Sequence, residues 1–167
     1  GVPLIDRVYA DQKEANLPRG TFDEVVGLIL REIEGVRNEL VVDWRAENLE
    51  EKSGRITRGA ALALKSRVLL YAASPQFNPS GEKSKWAAAA AAAFEVINMG
   101  IYSLHPDYGG LFVAETSTTS PETIWAVRMG ATNEFERKNY PIGTQGGGTG
   151  ICPSQNLVEA YESTGED

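Results

Sequence analysis

Val25, Val26, Leu28, Ile29, Ile33, Val36 and Leu40 recur every three or four residues, and Arg31, Glu32, Glu34 and Arg37 take much of the other face. That spacing predicts an amphipathic helix over 22–40. Thr21-Phe22-Asp23-Glu24 opens it as a capping box: the Thr21 hydroxyl takes the N3 amide while Glu24 reaches back. Before it, residues 1–20 carry Pro3 and Pro18 and little periodicity, so an extended lead-in is expected. After it, 41–55 is a charged loop. Thr57 is the next N-cap candidate, and 58–73 is rich in good helix formers. The few polar positions there, Arg58, Lys65, Ser66 and Arg67, predict a helix buried on most sides. Pro75 stops it, and Phe77-Asn78-Pro79-Ser80-Gly81 reads as a turn. A third helix is expected from about Lys85 to Met99, ending at Gly100. Its centre, Ala87–Ala93, is all alanine, which lets a neighbouring helix approach closely.

The pattern changes after Gly100. Ile101-Tyr102-Ser103-Leu104 reads as a short extended link, and 106–112 as one helical turn. Residues 123–129 alternate enough to predict a strand, which would put Trp125 in the core. Six glycines within 130–150, among them Gly146-Gly147-Gly148, predict a long irregular loop. A last helix is expected over 154–162. The chain thus reads as mainly α. A helical part over 1–104 contains a hairpin, 58–73 with 85–99, of tetratricopeptide-like length and small-residue seam. A loop-rich part with a short strand and a terminal helix covers 105–167. Together they make a fragment of one larger domain.

Composition narrows the function. The 167 residues are 42% apolar and 23% charged, enough for a real core. The formal net charge is −7. Residues 1–104 hold 14 acidic and 13 basic side chains, a net of −1; residues 105–167 hold 9 and 3, a net of −6. Such a balance argues against nucleic acid or anionic lipid as a bulk electrostatic partner. One cysteine, Cys152, excludes an internal disulfide, and one histidine, His105, cannot build a histidine-based metal site. Cys152 reads as a small buried hydrophobe. No apolar run approaches the ~20 residues of a membrane span. The chain begins without Met or a signal peptide and stops just after a helix, as expected of a piece of something longer.

Catalytic motifs are wanting. The Glu32/Glu34/Glu39 and Glu47/Glu50/Glu51 groups read as solvated charge, not as a hydrolytic carboxylate pair. The triple glycine lacks the Lys-Ser/Thr ending of a phosphate loop. Asp107, Glu115 and Glu122 have no calcium-loop spacing. No enzyme activity, metal or cofactor is expected.

The residues that remain carry a family resemblance. Gly54-Arg55-Ile56-Thr57-Arg58-Gly59-Ala60-Ala61, followed by Ala63-Leu64, Arg67-Val68 and Leu70-Tyr71-Ala72-Ala73-Ser74-Pro75, resembles the signature helix of the SusD/RagB family. Phe77-Asn78 follows, then Trp86 opening an Ala-rich helix, then Gly100-Ile101-Tyr102-Ser103-Leu104. Asp107-Tyr108 with Leu111-Phe112, Pro121-Glu122 before Ile124-Trp125-Ala126, and Pro153 with Leu157-Val158-Glu159-Ala160-Tyr161 keep the family's order. Val2-Pro3-Leu4-Ile5 and Pro18-Arg19-Gly20-Thr21-Phe22 also resemble it, so the likeness covers nearly the whole chain.

The resemblance implies a central stretch of a nutrient-binding lipoprotein on the extracellular face of the outer membrane of Bacteroidetes-type bacteria. Such proteins act as a lid on a TonB-dependent, SusC-like transporter and capture glycans for it. Membrane attachment would run only through a lipid anchor outside this chain, since the family's lipidated N-terminal cysteine has no counterpart here. Glycan binding needs flat aromatic surfaces for sugar C–H faces and amides, carboxylates or Arg for hydroxyls. Asn133, Glu134, Arg137, Asn139 and Tyr140 supply that set within eight positions, in the part the family devotes to ligand. Trp44, among Asp43, Arg45 and Glu47, is a further stacking candidate, whereas Trp86 is expected to pack on a neighbouring helix. The alternative is a helical protein–protein interaction scaffold that binds no ligand of its own.

Overall fold

The computed structural model describes residues 1–11, 13, 14, 16–44, 54–113, 120–127, 132–140, 143–147 and 153–161. Glu47, Glu50, Glu51, Glu115, Gly148 and Cys152, singled out above, lie outside the described residues. The protein is mainly helical. It forms two compact units, Gly1–Val127 and Arg128–Asp167, so residues 105–127 cluster with the helices that precede them.

The first unit is built on three helices: α1 (Phe22–Val36), α2 (Arg58–Ala73) and α3 (Lys83–Ile97). The Thr21–Glu24 capping box forms in both directions. Glu24 N–H donates to Thr21 Oγ1 at 3.2 Å, and Thr21 N–H donates to Glu24 Oε2 at 2.7 Å. In front of it the lead-in doubles back: Pro3 bridges Arg19, and Gly20 N–H donates to the Val2 carbonyl at 3.0 Å. α1 stops at Val36 rather than running to residue 40. The reason is Arg58, 21 residues on, whose Nε donates to the Arg37 carbonyl at 3.0 Å. Its Nη2 donates to the Asn38 carbonyl at 3.3 Å. One guanidinium thus caps the end of α1 while opening α2.

α2 and α3 form the hairpin at the centre of the unit. Their seam is nearly all small: Ala60, Ala61, Ala72, Ala73, Ala89 and Ala92 are buried, with Leu62 and, from α1, Ile33. Small side chains bring the two backbones close, and each retains little bulk to reach further. α2 is buried all round its first turn, from Gly59 to Leu62, and again at Ala72 and Ala73, while Leu64, Leu70 and Tyr71 between them are exposed. The connecting turn is clamped by Asn78, which is 3% exposed. Its Oδ1 accepts from Glu82 N–H at 2.9 Å, and its Nδ2 donates to the carbonyls of Glu82 and Ala73 at 3.1 and 3.4 Å. Next to it, Phe77 stacks on Phe22, ring centroids 3.8 Å apart and nearly parallel, fastening the start of α1 to the turn. The chain leaves α3 through Gly100 at φ +67°, a left-handed conformation that suits glycine.

A four-member ion network joins the three helices on one side. Lys65 of α2 reaches Glu34 of α1 at 2.6 Å and Glu95 of α3 at 2.7 Å. Arg37 pairs with Glu34 at 3.1 Å. Its Nη2 stands 2.8 Å from Glu95 Oε2. The hydrogen bond from Lys65 is the main reason both Glu34 and Glu95 titrate below the usual carboxylate range. Burial disfavours the Lys65 ammonium, but hydrogen bonds to the two carboxylates outweigh it and raise the lysine.

After α3 the chain returns along the start of α2. Ser103 N–H donates to the Pro121 carbonyl at 3.3 Å, and His105 N–H donates to Glu122 Oε1 at 2.7 Å. Gly109–Phe112 forms a single 3-10 turn, with Tyr108 packed edge-on to Phe112. The strand expected over 123–129 is not formed in its described part, 123–127, and no strand occurs among the described residues. Among the described residues no ladder forms along it, and Thr123 N–H closes a turn on the Ser120 carbonyl.

Tyr102 lies directly on Gly59 in the first turn of α2. A Cβ built at Gly59 would stand 2.7 Å from Tyr102 Cζ and 2.8 Å from Cε2. Alanine in a helix is ordinarily worth about 0.5–1 kcal/mol over glycine. Here the clash reverses the sign. Gly59→Ala is expected to lower stability by about 1–2 kcal/mol in chemical denaturation. In a Tyr102→Ala background the same change is expected to stabilise.

The second unit contains α4 (Glu134–Asn139) and α5 (Gln155–Ala160). The 130–150 stretch is therefore not wholly irregular. Thr132 Oγ1 accepts from Glu134 N–H at 3.2 Å and starts a six-residue helix among the glycines. α5 falls inside the expected terminal helix, with Ser154 as its N-cap.

Candidate functional site

Residues 54–59, the lead into α2, gather three aromatic side chains of the first unit. Trp125 Nε1 donates to the Gly54 carbonyl at 2.8 Å, across 71 residues of sequence. Trp44 Nε1 donates to the Ile56 carbonyl at 3.4 Å. Tyr102 covers Gly59. Trp125 is not a core residue: with no sheet to bury it, 53% of its surface is exposed. Trp44 is half-buried, and Arg55, between the two anchoring residues, is exposed. Sequence reasoning missed Trp125 and Tyr102. Their contacts are made to residues far away in the chain, which no local spacing marks.

The polar candidates lie in the second unit, on α4 and at its ends. Asn133, Glu134, Arg137, Asn139 and Tyr140 are all exposed. Arg137 N–H donates to the Asn133 carbonyl at 3.0 Å, so Arg137 sits one turn above Asn133. Tyr140 follows Asn139, the last residue of the helix. Glu134 pairs with Lys138 at 3.5 Å, with both side chains about two-thirds exposed. Such a pair contributes about 0.3–0.5 kcal/mol and leaves both groups accessible. The Arg137 side chain runs beside Gly146, where a built Cβ would meet Nε at 3.5 Å. α4 and the residues at its two ends thus carry an exposed amide, guanidinium and phenol. Trp44 belongs to the other unit.

The remaining candidates have structural partners. Glu34 is held in the ion network. Glu32 pairs with Arg31 at 3.8 Å on the outer face of α1. The His105 ring closes a local turn, with Nδ1 2.7 Å from the Asp107 carbonyl oxygen. Asp107 in turn accepts from the N–H groups of Gly109 and Gly110. Among the described residues no group of three or more His, Cys, Asp and Glu side chains is placed to hold a metal ion. None of the described helices is long and apolar enough to cross a membrane. A groove of about 250 Å³ opens between α1, α2 and the start of α3, lined mainly by Val26, Leu69, Ala72 and Ala88.

α3 carries a second apolar stripe besides its seam. Trp86, Ala90, Phe94 and Ile97 follow helical spacing on a side away from the buried Ala89 and Ala92. Trp86 is 46%, Phe94 60% and Ile97 65% exposed. The α2 partner meets the alanine side of α3 and leaves this one uncovered.

No family model matches the chain, and no curated protein or solved structure matches it either.

Proposed function

We propose that this chain is a non-catalytic glycan-binding part of a SusD/RagB-like nutrient-uptake lipoprotein. It would work at the extracellular face of the outer membrane as partner of a TonB-dependent, SusC-like transporter. The ordered series of motifs from Val2 to Tyr161 supports this reading at the level of sequence. The observation that carries it is the stretch around α4, where Asn133, Glu134, Arg137 and Tyr140 all lie exposed within eight positions. An amide, a guanidinium and a carboxylate offer donors and acceptors to sugar hydroxyls, and the phenol ring offers a face to sugar C–H groups. We also read the α2–α3 hairpin as a tetratricopeptide-like unit, on the strength of its two helices of similar length and its alanine seam.

The test is native gel electrophoresis with a soluble polysaccharide cast in the gel. The Arg137→Ala/Tyr140→Ala double variant is expected to lose most of the retardation shown by the parent chain. Equal retardation of the two would remove α4 from the site.

A second reading, a helical scaffold for a partner protein, is favoured by the exposed Trp86–Phe94–Ile97 stripe. The two are compatible if α3 meets the transporter while α4 meets the glycan. They separate by variant: Phe94→Glu/Ile97→Glu should leave retardation intact and abolish co-purification with the transporter.

A further inference from the structure

We infer that the Thr144–Gly147 turn positions Arg137 for its ligand, with Gly146 as the positioning residue. The inference rests on the glycan-binding reading above and gives that site a second segment besides α4.

Arg137 and Lys138 are neighbours on α4 and both are exposed, yet their charges are placed differently. Lys138 pairs with Glu134 one turn back, at 3.5 Å. Among the described residues no ion pair or side-chain hydrogen bond engages the Arg137 guanidinium. Its N–H donors are left for a ligand. An arginine that swings freely on a surface helix binds poorly, because its long side chain loses much rotamer freedom when it is held. Here the stem does not swing freely. It runs past Gly146, where a built Cβ would stand 3.5 Å from Arg137 Nε and 3.9 Å from Cγ. The turn thus backs the stem at Cγ and Nε, while the fork beyond Nε stays uncommitted.

The turn depends on glycine at that position. Gly147 N–H donates to the Thr144 carbonyl at 2.8 Å, which closes Thr144–Gly147 as a β-turn. Gly146 is its third residue and has φ +82°. A type II turn requires that value there, and glycine adopts it without the penalty an L side chain meets. A residue that refuses this φ opens the turn and withdraws the surface on which the arginine stem rests.

A double-variant cycle in affinity electrophoresis tests the link, with the whole chain and a polysaccharide that retards it. Gly146→Ala is expected to weaken retardation about fivefold, since a side chain no longer held in advance has its freedom to lose on binding. In an Arg137→Ala background the same change should have no further effect, because the group it positions is gone. Gly146→Asn, which accepts a positive φ more readily than alanine, should keep most of the binding. Circular dichroism of each variant shows whether it is folded. A second readout needs no ligand. In nitrogen relaxation NMR the Arg137 Nε–H of the parent chain should be ordered on the nanosecond scale, and Gly146→Ala should make it mobile. Retardation unchanged by Gly146→Ala, equal weakening in both backgrounds, or an Nε–H as mobile in the parent chain as in the variant would each overturn the positioning role. Absence of retardation of the parent chain by any polysaccharide would instead overturn the glycan-binding reading, and the Nε–H order would then decide whether the turn holds Arg137.

Discussion

Asn78→Ala is expected to lower the stability of the first unit by about 3 kcal/mol. The side chain is 3% exposed and makes three hydrogen bonds to the backbone at the two ends of the α2–α3 turn. Removing it takes away the partner of the Glu82 N–H and of the buried Ala73 carbonyl, while the Glu82 carbonyl keeps the Lys85 N–H at 3.2 Å. An unsatisfied buried group costs about 1–3 kcal/mol, and the longest of the three bonds, 3.4 Å to Ala73, contributes least. Asn78→Asp separates the roles. It keeps an acceptor for Glu82 N–H but turns the donor into a second oxygen facing two carbonyls. It should therefore be at least as damaging as alanine. Urea unfolding followed by circular dichroism measures both. A change below about 1 kcal/mol for either would mean that the turn holds without its clamp.

Lys65→Met is the second large effect, expected at about 2 kcal/mol at pH 7. The Lys65 side chain is 15% exposed and touches both Glu34 and Glu95, as the Arg37 guanidinium also does. Removing it leaves two carboxylates facing Arg37 alone. Fully exposed pairs are worth about 0–1 kcal/mol and breaking a fully buried pair costs about 3–5. Glu34 is 48% and Glu95 33% exposed, so this network lies between those limits. Acid gives the sign a second check. Both carboxylates titrate lower in the folded chain than their ordinary value of 4.5. Their contribution is thus present above about pH 4.5 and is lost as pH falls through the lowered folded values. The difference between parent and Lys65→Met should shrink over that interval, as neutral carboxyls no longer need the lysine. A difference that stays constant down to pH 3 would assign it to packing rather than charge.

Helix ends were readable where their signals are local. Thr21 and Glu24 lie three residues apart, Thr57 caps the helix that follows it, and Pro75 and Gly100 sit next to the ends they mark. The extent of α1 was not readable, because the Arg58 side chain that closes it comes from the next helix. The same holds for Lys65, whose carboxylate partners are 31 and 30 residues away. The alternation over 123–129 predicts a strand from period two alone, and a strand also needs a pairing partner that local spacing does not contain. The glycine count in 130–150 hid α4, which begins two residues after Thr132, whose hydroxyl accepts from the Glu134 N–H. On the site, Trp44 and the α4 residues were legible as residue types. Trp125 was not, since its exposure follows from a tether to Gly54 rather than from its own neighbours.

The alanine seam explains why so much apolar surface stays outside. Small residues give α2 and α3 a close approach, and the large ones, Leu64, Leu70, Phe94 and Ile97, are displaced to the outer faces. A surface of that kind suits a chain that works against a larger partner, which agrees with the proposed place beside a transporter.

Binding without chemistry is the central claim, and one measurement addresses it. The 167-residue chain is run in native gels containing each of a panel of soluble plant, host and microbial polysaccharides, and the polysaccharide is then sized. The account predicts retardation by at least one polysaccharide, whose chain length is unchanged afterwards. A folded chain that migrates freely through every polysaccharide, or one that shortens the polysaccharide it meets, would contradict it.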